Sequence, residues 1–149
     1  MRVLITGGAG FIGSHTADAL LACGHSVRAL DILDPQIHGE DRQRPVYLAP
    51  EVELMVGDVC DAADVARALE GVDAVFHFAS LTGVGQSMYD MAHYVRVNCL
   101  GTTTLIEGIV KGGHKLKRFL LSSSRAIYGE GAYRCAEHGV QFPGARARE

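Results

Sequence analysis

A glycine-rich run near the start of the chain constrains the fold more than any other feature. The run Thr6-Gly7-Gly8-Ala9-Gly10-Phe11-Ile12-Gly13 follows an apolar strand, Arg2–Thr6, and opens a helix expected from Phe11 to Cys23. Glycine permits a tight turn and lets the backbone approach a pyrophosphate, which the free N–H groups of a helix N-terminus attract. The G-x-G-x-x-G pattern in this context predicts a dinucleotide-binding turn. The alternative is a glycine-rich turn without a ligand.

Short apolar strands alternate with helical stretches along the rest of the chain. The expected elements are a strand Ser26–Asp31, a loop Asp34–Pro50, a strand Val52–Val56, a helix capped by Asp61 and ending at Leu69, a strand Asp73–Phe78, a long helix from Tyr89 to Lys111 and a strand Lys117–Ser122. Nearly continuous apolar strands are typical of parallel sheets buried on both faces. The pattern predicts a Rossmann-like, doubly wound α/β sheet. Strand order is not written in the sequence, and 3-2-1-4-5 is the order expected for this class of fold.

Composition excludes several classes of protein. The chain has 149 residues, 48% of them hydrophobic, and a net charge of −3, which disfavours both intrinsic disorder and nucleic-acid binding. No apolar run is long enough to span a bilayer, and glycines interrupt the N-terminus too early for a signal peptide. Four irregularly spaced cysteines fit a reducing compartment. We therefore expect a cytoplasmic protein.

Asp31 ends the second strand 18 residues after Gly13. A carboxylate at this point can accept hydrogen bonds from the adenosine ribose, and it would repel a 2′-phosphate. The sequence therefore favours NAD over NADP, although a strand-end aspartate can also cap a turn. Asp58 follows the third strand, where it can bond the adenine amino group or simply cap a turn or helix. His77, on an apolar strand, is expected to be a hydrogen-bonded core histidine.

Five ordered motifs carry a resemblance to a known family. They are Thr6–Gly13, Gly57-Asp58, His77–Ala79, Val97-Asn98 and Ser122-Ser123-Ser124-Arg125-Ala126-Ile127-Tyr128-Gly129. Together they resemble the extended short-chain dehydrogenase/reductases, and among these the NAD-dependent nucleotide-sugar epimerases and dehydratases. The stretch Gly83-Val84-Gly85-Gln86-Ser87-Met88-Tyr89 is similar to hexose 4-epimerases.

The resemblance implies a set of site residues and a substrate class. It makes Ser124 the catalytic hydroxyl, and it implies transient oxidation of a UDP- or dTDP-hexose by hydride transfer to NAD, with a homodimer as the assembly. The implied cofactor-binding residues are Gly7, Gly10, Phe11, Ile12, Gly13, Asp31, Ile32, Asp58, Val59, Phe78, Ala79, Ser80, Asn98 and Ser122.

The chain departs from the family pattern at the catalytic base. The family uses a Tyr-x-x-x-Lys pair, and no tyrosine in this sequence has lysine four residues later. We therefore expect residues 1–130 to form an incomplete NAD-binding domain, with 131–149 as a loop or tail and with the sixth strand and the substrate domain absent. Such a chain is expected to be inactive alone. The alternative is a non-catalytic dinucleotide-binding or sensor module.

The pair Cys135-Ala136-Glu137-His138 has the C-x-x-H spacing of metal ligands. A structural zinc site takes four ligands, and the sequence offers no second pair nearby. We therefore expect no metal site in this chain, with an exposed loop cysteine as the simplest interpretation. In a longer parent protein, Cys135 and His138 could join a ligand set completed further along.

Overall fold

Five strands form the main sheet. The computed structural model describes residues 1–124, 127 and 131–144. The strands are β1 (Arg2–Thr6), β2 (Ser26–Asp31), β3 (Glu53–Val56), β4 (Ala74–His77) and β5 (Arg118–Leu121). They lie in the order β3-β2-β1-β4-β5 and all pair in parallel, so the predicted α/β class and strand order are confirmed.

Helices of very different length connect the strands. They are α1 (Phe11–Ala22), α2 (Pro35–His38), α3 (Ala62–Leu69), α4 (Val84–Ser87), α5 (Met91–Val95) and α6 (Thr102–Lys111). A π-helical segment, Arg96–Gly101, joins α5 to α6, and we call residues 91–111 the long helix. Within the described residues, none of these helices has the length and apolar character needed to cross a bilayer.

The strands β1, β2 and β4 are buried on both faces of the sheet, whereas β5 is exposed along its length. Alternate residues of each strand point to opposite sides. Val3 and Ile5 of β1 pack in an apolar cluster with the inner side of α1. Leu4, between them, packs on the other face with Val65 of α3 and Leu105 of α6. This arrangement explains why the strand sequences lack a polar face.

The structure adds elements that the sequence did not predict. A short helix, α2, interrupts the expected loop 34–50, because Pro35 suits a first helical turn and Asp34 accepts a hydrogen bond from the Gln36 N–H. The long helix begins at Met91, two residues later than expected. Residues 133–141 contain an antiparallel hairpin, formed by β6 (Tyr133–Cys135) and β7 (Gly139–Gln141).

Two glycines let the long helix pack closely against α3 and the loop that precedes it. A Cβ atom at Gly101 would lie 2.7 Å from Val59 Cγ1, and one at Gly108 would lie 2.7 Å from Val65 Cγ1. The two glycines are seven residues apart, which places them on the same side of a helix. This spacing is readable from the sequence, and it explains the tight packing of α6 on α3.

A buried hydrogen-bond chain ties the end of the sheet to the long helix. His77, the last residue of β4, is only 2% exposed. Its Nδ1 lies 2.5 Å from Thr6 Oγ1, and its Nε2 lies 2.9 Å from Thr102 Oγ1. Thr102 donates its hydroxyl proton to the Asn98 carbonyl, while Thr6 Oγ1 accepts the Ala79 N–H. The prediction of a hydrogen-bonded core histidine is confirmed.

This chain of donors and acceptors sets the protonation of His77. Because the Thr102 hydroxyl proton is already donated, its oxygen accepts from Nε2–H of His77, which leaves Nδ1 as an acceptor for Thr6. An imidazolium would place a proton on both nitrogens and lose the bond from Thr6. Burial also favours the neutral ring, because it lowers the pKa of His77 below its ordinary value of 6.5.

We expect acid to destabilise the fold through His77. Its lowered pKa means that the neutral ring contributes fully above about pH 6.5, and that this contribution is lost as pH falls below 6.5 toward the folded-state pKa. The free energy of unfolding should therefore fall as the pH is lowered from about 7.5 to about 5.5. Urea unfolding at several pH values measures this change.

The variant His77→Gln should be less stable at neutral pH, by about 1–3 kcal/mol, since a buried partner is lost. It should also lose the His77 part of the acid dependence. His114→Gln, at a half-buried site outside this chain of hydrogen bonds, serves as the control and should keep the wild-type profile. An unchanged acid dependence in His77→Gln would contradict the assignment.

Candidate functional site

The turn between β1 and α1 has no room for most side chains. Gly7 has a φ of +69°, and a Cβ there would lie 2.8 Å from the Ala79 N. A Cβ at Gly8 would lie 2.5 Å from Ala29 Cβ, and one at Gly13 would overlap the Gly7 carbonyl. These glycines therefore pack the turn against β2, the end of β4 and the first turn of α1.

Gly10 differs from the other glycines of the turn. It caps α1 in an extended conformation with a φ of −71°, which any residue can adopt. A Cβ there would meet only the Gly7 carbonyl oxygen, at 3.4 Å, within 4 Å. Gly10 also lines a cavity, so glycine leaves space here for something other than the protein itself.

That cavity, of about 400 Å³, opens at the carboxyl ends of the parallel strands. This edge is where ligands of open α/β sheets bind. Nine of the predicted cofactor-binding residues line it, namely Gly7, Gly10, Asp31, Ile32, Asp58, Val59, Phe78, Ala79 and Ser80. Phe11, Ile12 and Gly13 lie in the first turn of α1, where the two large side chains are exposed.

Asp31 is buried at the wall of this cavity and holds two loops. One carboxylate oxygen accepts the Ala9 N–H at 2.9 Å, and the other accepts the Leu33 N–H at 2.9 Å. His38 Nε2 lies 3.8 Å from the same carboxylate. Each carboxylate oxygen has a further lone pair, so Asp31 can fix the glycine turn and still accept a hydrogen bond from a ligand.

Tyr47 fastens the loop after β2 onto the glycine turn. Its hydroxyl donates to the Ala9 carbonyl at 2.9 Å. Burial, and next the negative charge of Asp31, raise the pKa of Tyr47 above its ordinary value of 10.0. The phenol therefore remains a proton donor, and the Ala9 peptide is held at its carbonyl by Tyr47 and at its N–H by Asp31.

Asp58 lies at the end of β3 with its charge paired. One carboxylate oxygen accepts the Cys60 N–H at 2.8 Å, and the other pairs with Arg96 Nη2 at 2.9 Å. The structure thus supports the turn-capping interpretation and adds a cation at the cavity wall. Asp64 accepts the Asp58 N–H, and this bond contributes most to lowering the pKa of Asp64.

A second cavity, of about 420 Å³, adjoins the first and shares residues 79–82 with it. Besides Ala79 and Ser80, three further predicted site residues line it, namely Asn98, Ser122 and Ser124. The Ser122 hydroxyl donates to the His77 carbonyl at 3.2 Å, which extends the pairing of β4 and β5. Of the serine motif, Arg125, Ala126, Tyr128 and Gly129 lie outside the described residues.

Asn98 holds the loop between the two cavities. Its Oδ1 accepts the Leu81 N–H at 2.8 Å, and its Nδ2 donates to the Leu81 carbonyl at 3.0 Å. The Asn98 amide thus bonds both the N–H and the carbonyl of Leu81, as the backbone of a neighbouring β-strand would. Asn98 sits in the π-helical segment, and π-helical turns often occur at functional sites.

Sequence reasoning missed several residues that shape the site. Arg96, His38, Gln86 and Tyr94 line the first cavity, and Thr102 lines the second. The role of Thr6, which bonds His77, could have been predicted, because a hydroxyl at the end of an otherwise apolar buried strand requires a polar partner. The others lie on helices outside the strands, and only the packing of α2, α4 and the long helix brings them to the cavities.

Comparison with known proteins agrees with this geometry. The model of the NAD dependent epimerase/dehydratase family matches residues 3–141. The chain is 42% identical over 149 residues to the dTDP-L-rhamnose 4-epimerase of Burkholderia thailandensis, covering 99% of this chain and 41% of that protein. The chain therefore spans about two fifths of the length of that relative.

Solved structures show the same fold. The UDP-glucose 4-epimerase of Thermus thermophilus in complex with NAD matches with a TM-score of 0.76 and 34% identity, covering 100% of this chain and 43% of that one. The dTDP-glucose 4,6-dehydratase of Streptomyces venezuelae, solved with NAD bound, matches with a TM-score of 0.67 and 38% identity over 80% of this chain and 38% of that one. With the strand order, the glycine turn and the family model in agreement, the chain belongs to the NAD-dependent epimerase/dehydratase family.

Proposed function

We propose that this chain binds NAD across the two adjoining cavities, as the N-terminal part of a nucleotide-sugar epimerase. The observation that carries the proposal is the space left at Gly10, at the N-terminus of α1, in a turn otherwise packed against protein. The adjoining cavities, of about 400 and 420 Å³, continue from that point along the strand ends. This is a cradle that a side chain would fill, and it fits a pyrophosphate group.

Different residues around the cavities would contact different parts of NAD. The backbone at Gly7 and Gly10 would receive the pyrophosphate, with Phe11, Ile12 and Gly13 supplying the first turn of α1. Asp31 would accept from the adenosine ribose beside Ile32, and Asp58 and Val59 would flank the adenine. Residues 78–80 line the path toward the second cavity, where Asn98 shapes the wall and Ser122 and Ser124 sit. NAD, when bound, supplies the hydride acceptor for transient oxidation of a sugar hydroxyl.

A contrast between two glycines tests the cradle. Gly10→Ala should fold with a free energy of unfolding within about 1 kcal/mol of the wild type, since only a helix cap is altered. It should weaken NAD binding at least about tenfold, because the methyl group occupies space that the pyrophosphate needs. Gly13→Ala is the structural control and should lower stability itself, because its methyl group overlaps the Gly7 carbonyl. Calorimetric NAD titration and urea unfolding separate the effects. Unchanged NAD affinity in Gly10→Ala would refute the placement.

The charge of Asp31 should select NAD over NADP. We expect the wild-type chain to bind NAD at least about tenfold more tightly than NADP, because a 2′-phosphate would face a buried carboxylate. Asp31→Asn should reduce this ratio, whereas the exposed control Asp18→Asn should leave it unchanged. The ratio is the informative quantity, since Asp31→Asn also weakens the bonds to Ala9 and Leu33 and so lowers stability. Tighter NADP binding by the wild type would contradict the role of Asp31.

For the whole protein, we infer a 4-epimerase of UDP- or dTDP-hexoses, with Ser124 as the catalytic hydroxyl. The identity to a dTDP-L-rhamnose 4-epimerase and the likeness to NAD-bound UDP-glucose 4-epimerases support this choice. A dehydratase is the second candidate, because a dTDP-glucose 4,6-dehydratase also matches. A non-catalytic dinucleotide-binding module or an inactive fragment is the alternative of a different class.

The same proposal extends to a homodimer and to a cytoplasmic location. Leu100, Ile106 and Val110 are exposed on the long helix and would suit a contact between two copies. Cys23, Cys60, Cys99 and Cys135 form no disulfide, which agrees with a reducing compartment such as the cytoplasm. Residues 1–130 would then be an incomplete NAD-binding unit.

We expect the 149-residue chain to bind NAD without epimerising sugars, because its sequence contains no Tyr-x-x-x-Lys motif to supply the catalytic base. The measurement is UDP-galactose formation from UDP-glucose, and the corresponding dTDP-L-rhamnose assay, beside a full-length epimerase as positive control. Normal turnover by this chain would contradict the expectation. A Tyr-x-x-x-Lys encoded shortly after Glu149 would support the enzyme, and an immediate stop codon the binding module.

A further inference from the structure

The β6–β7 hairpin lies outside the cavities and carries an arrangement that NAD binding does not use. Cys135 ends β6 and pairs with Gly139 at the start of β7, so the three residues between them form a tight turn. Gly139 has a φ of +70°, a conformation that favours glycine. The turn therefore brings Cys135 and His138 to the same end of the hairpin.

The two side chains meet there with metal-binding atoms facing each other. Cys135 Sγ lies 3.3 Å from His138 Nδ1. Two ligands of a tetrahedral zinc ion, at about 2.3 Å for sulfur and about 2.1 Å for nitrogen, lie about 3.6 Å apart. The pair is thus within a few tenths of an ångström of the spacing that a shared ion requires.

Both side chains can be reached from solvent. His138 is exposed and Cys135 is partly exposed, so an ion and further ligands can reach them.

We propose that Cys135 and His138 form a chelating half-site for a zinc ion. The ion binds Sγ and Nδ1, and the thiol proton passes to solvent. The described residues contain no cluster of three or more candidate ligands, so the hairpin supplies two positions of a tetrahedral set. Water, or the same pair from a second copy, completes the set in this chain. The inference is independent of NAD binding.

The test measures the rate at which iodoacetamide alkylates each cysteine, by peptide mass spectrometry, with and without a modest excess of Zn²⁺. We expect Zn²⁺ to slow alkylation of Cys135 at least about tenfold, since the bound thiolate is no longer a free nucleophile. Cys23 and Cys99 are exposed internal controls that should react as before. Cys60 is partly buried, and an unchanged rate at this cysteine shows that the fold is intact.

The variant His138→Ala should lose the selective protection of Cys135, whereas the matched control His114→Ala should keep it. Equal slowing at all three cysteines, or full protection in His138→Ala, would overturn the proposal. Replacing Zn²⁺ by Co²⁺ distinguishes the completing ligands. Intense visible absorption with one ion per two chains indicates a second copy, and weak absorption with one ion per chain indicates water, while absence of any thiolate–Co²⁺ band overturns the site.

Discussion

The close packing of the β1–α1 turn is the constraint on which the rest of the structure depends. Because Gly7, Gly8 and Gly13 have no Cβ atoms, the turn lies directly against β2, the end of β4 and its own helix. That packing brings the N-terminus of α1 to the carboxyl edge of the sheet, and it leaves the Gly10 side open. The cavity is therefore a consequence of where side chains are absent, and the residues that line it are grouped around this turn.

Several polar residues at this edge hold the scaffold and face the cavities at once. Asp31 fixes the glycine turn and the loop after β2 through buried backbone hydrogen bonds. Asn98 holds Leu81, and His77 links the strand ends to Thr102 at the start of α6. A substitution at such a residue changes the shape of the site as well as its chemistry. Binding and stability must therefore be measured together.

Much of the fold could be predicted from local sequence. The strands are apolar runs that a sheet buried on both faces requires, and their observed bounds differ from the predicted ones by at most one residue at either end. The short helix α2 could not be predicted as easily, because four residues give almost no periodic signal. The hairpin at residues 133–141 lacked a helical or strand pattern and depends on the turn at Gly139.

The sequence by itself determined the strands, the α/β class and the glycine turn, because these follow from hydrophobic periodicity and from residues without side chains. The strand order was expected from the fold class, and the tertiary structure established it. It also indicated which strand ends would carry Asp31, Asp58 and the serines. Only the tertiary structure decided how these groups are used. The pairing of Asp58 with Arg96, and the contact of Cys135 with His138, depend on distances and directions that spacing along a chain does not specify.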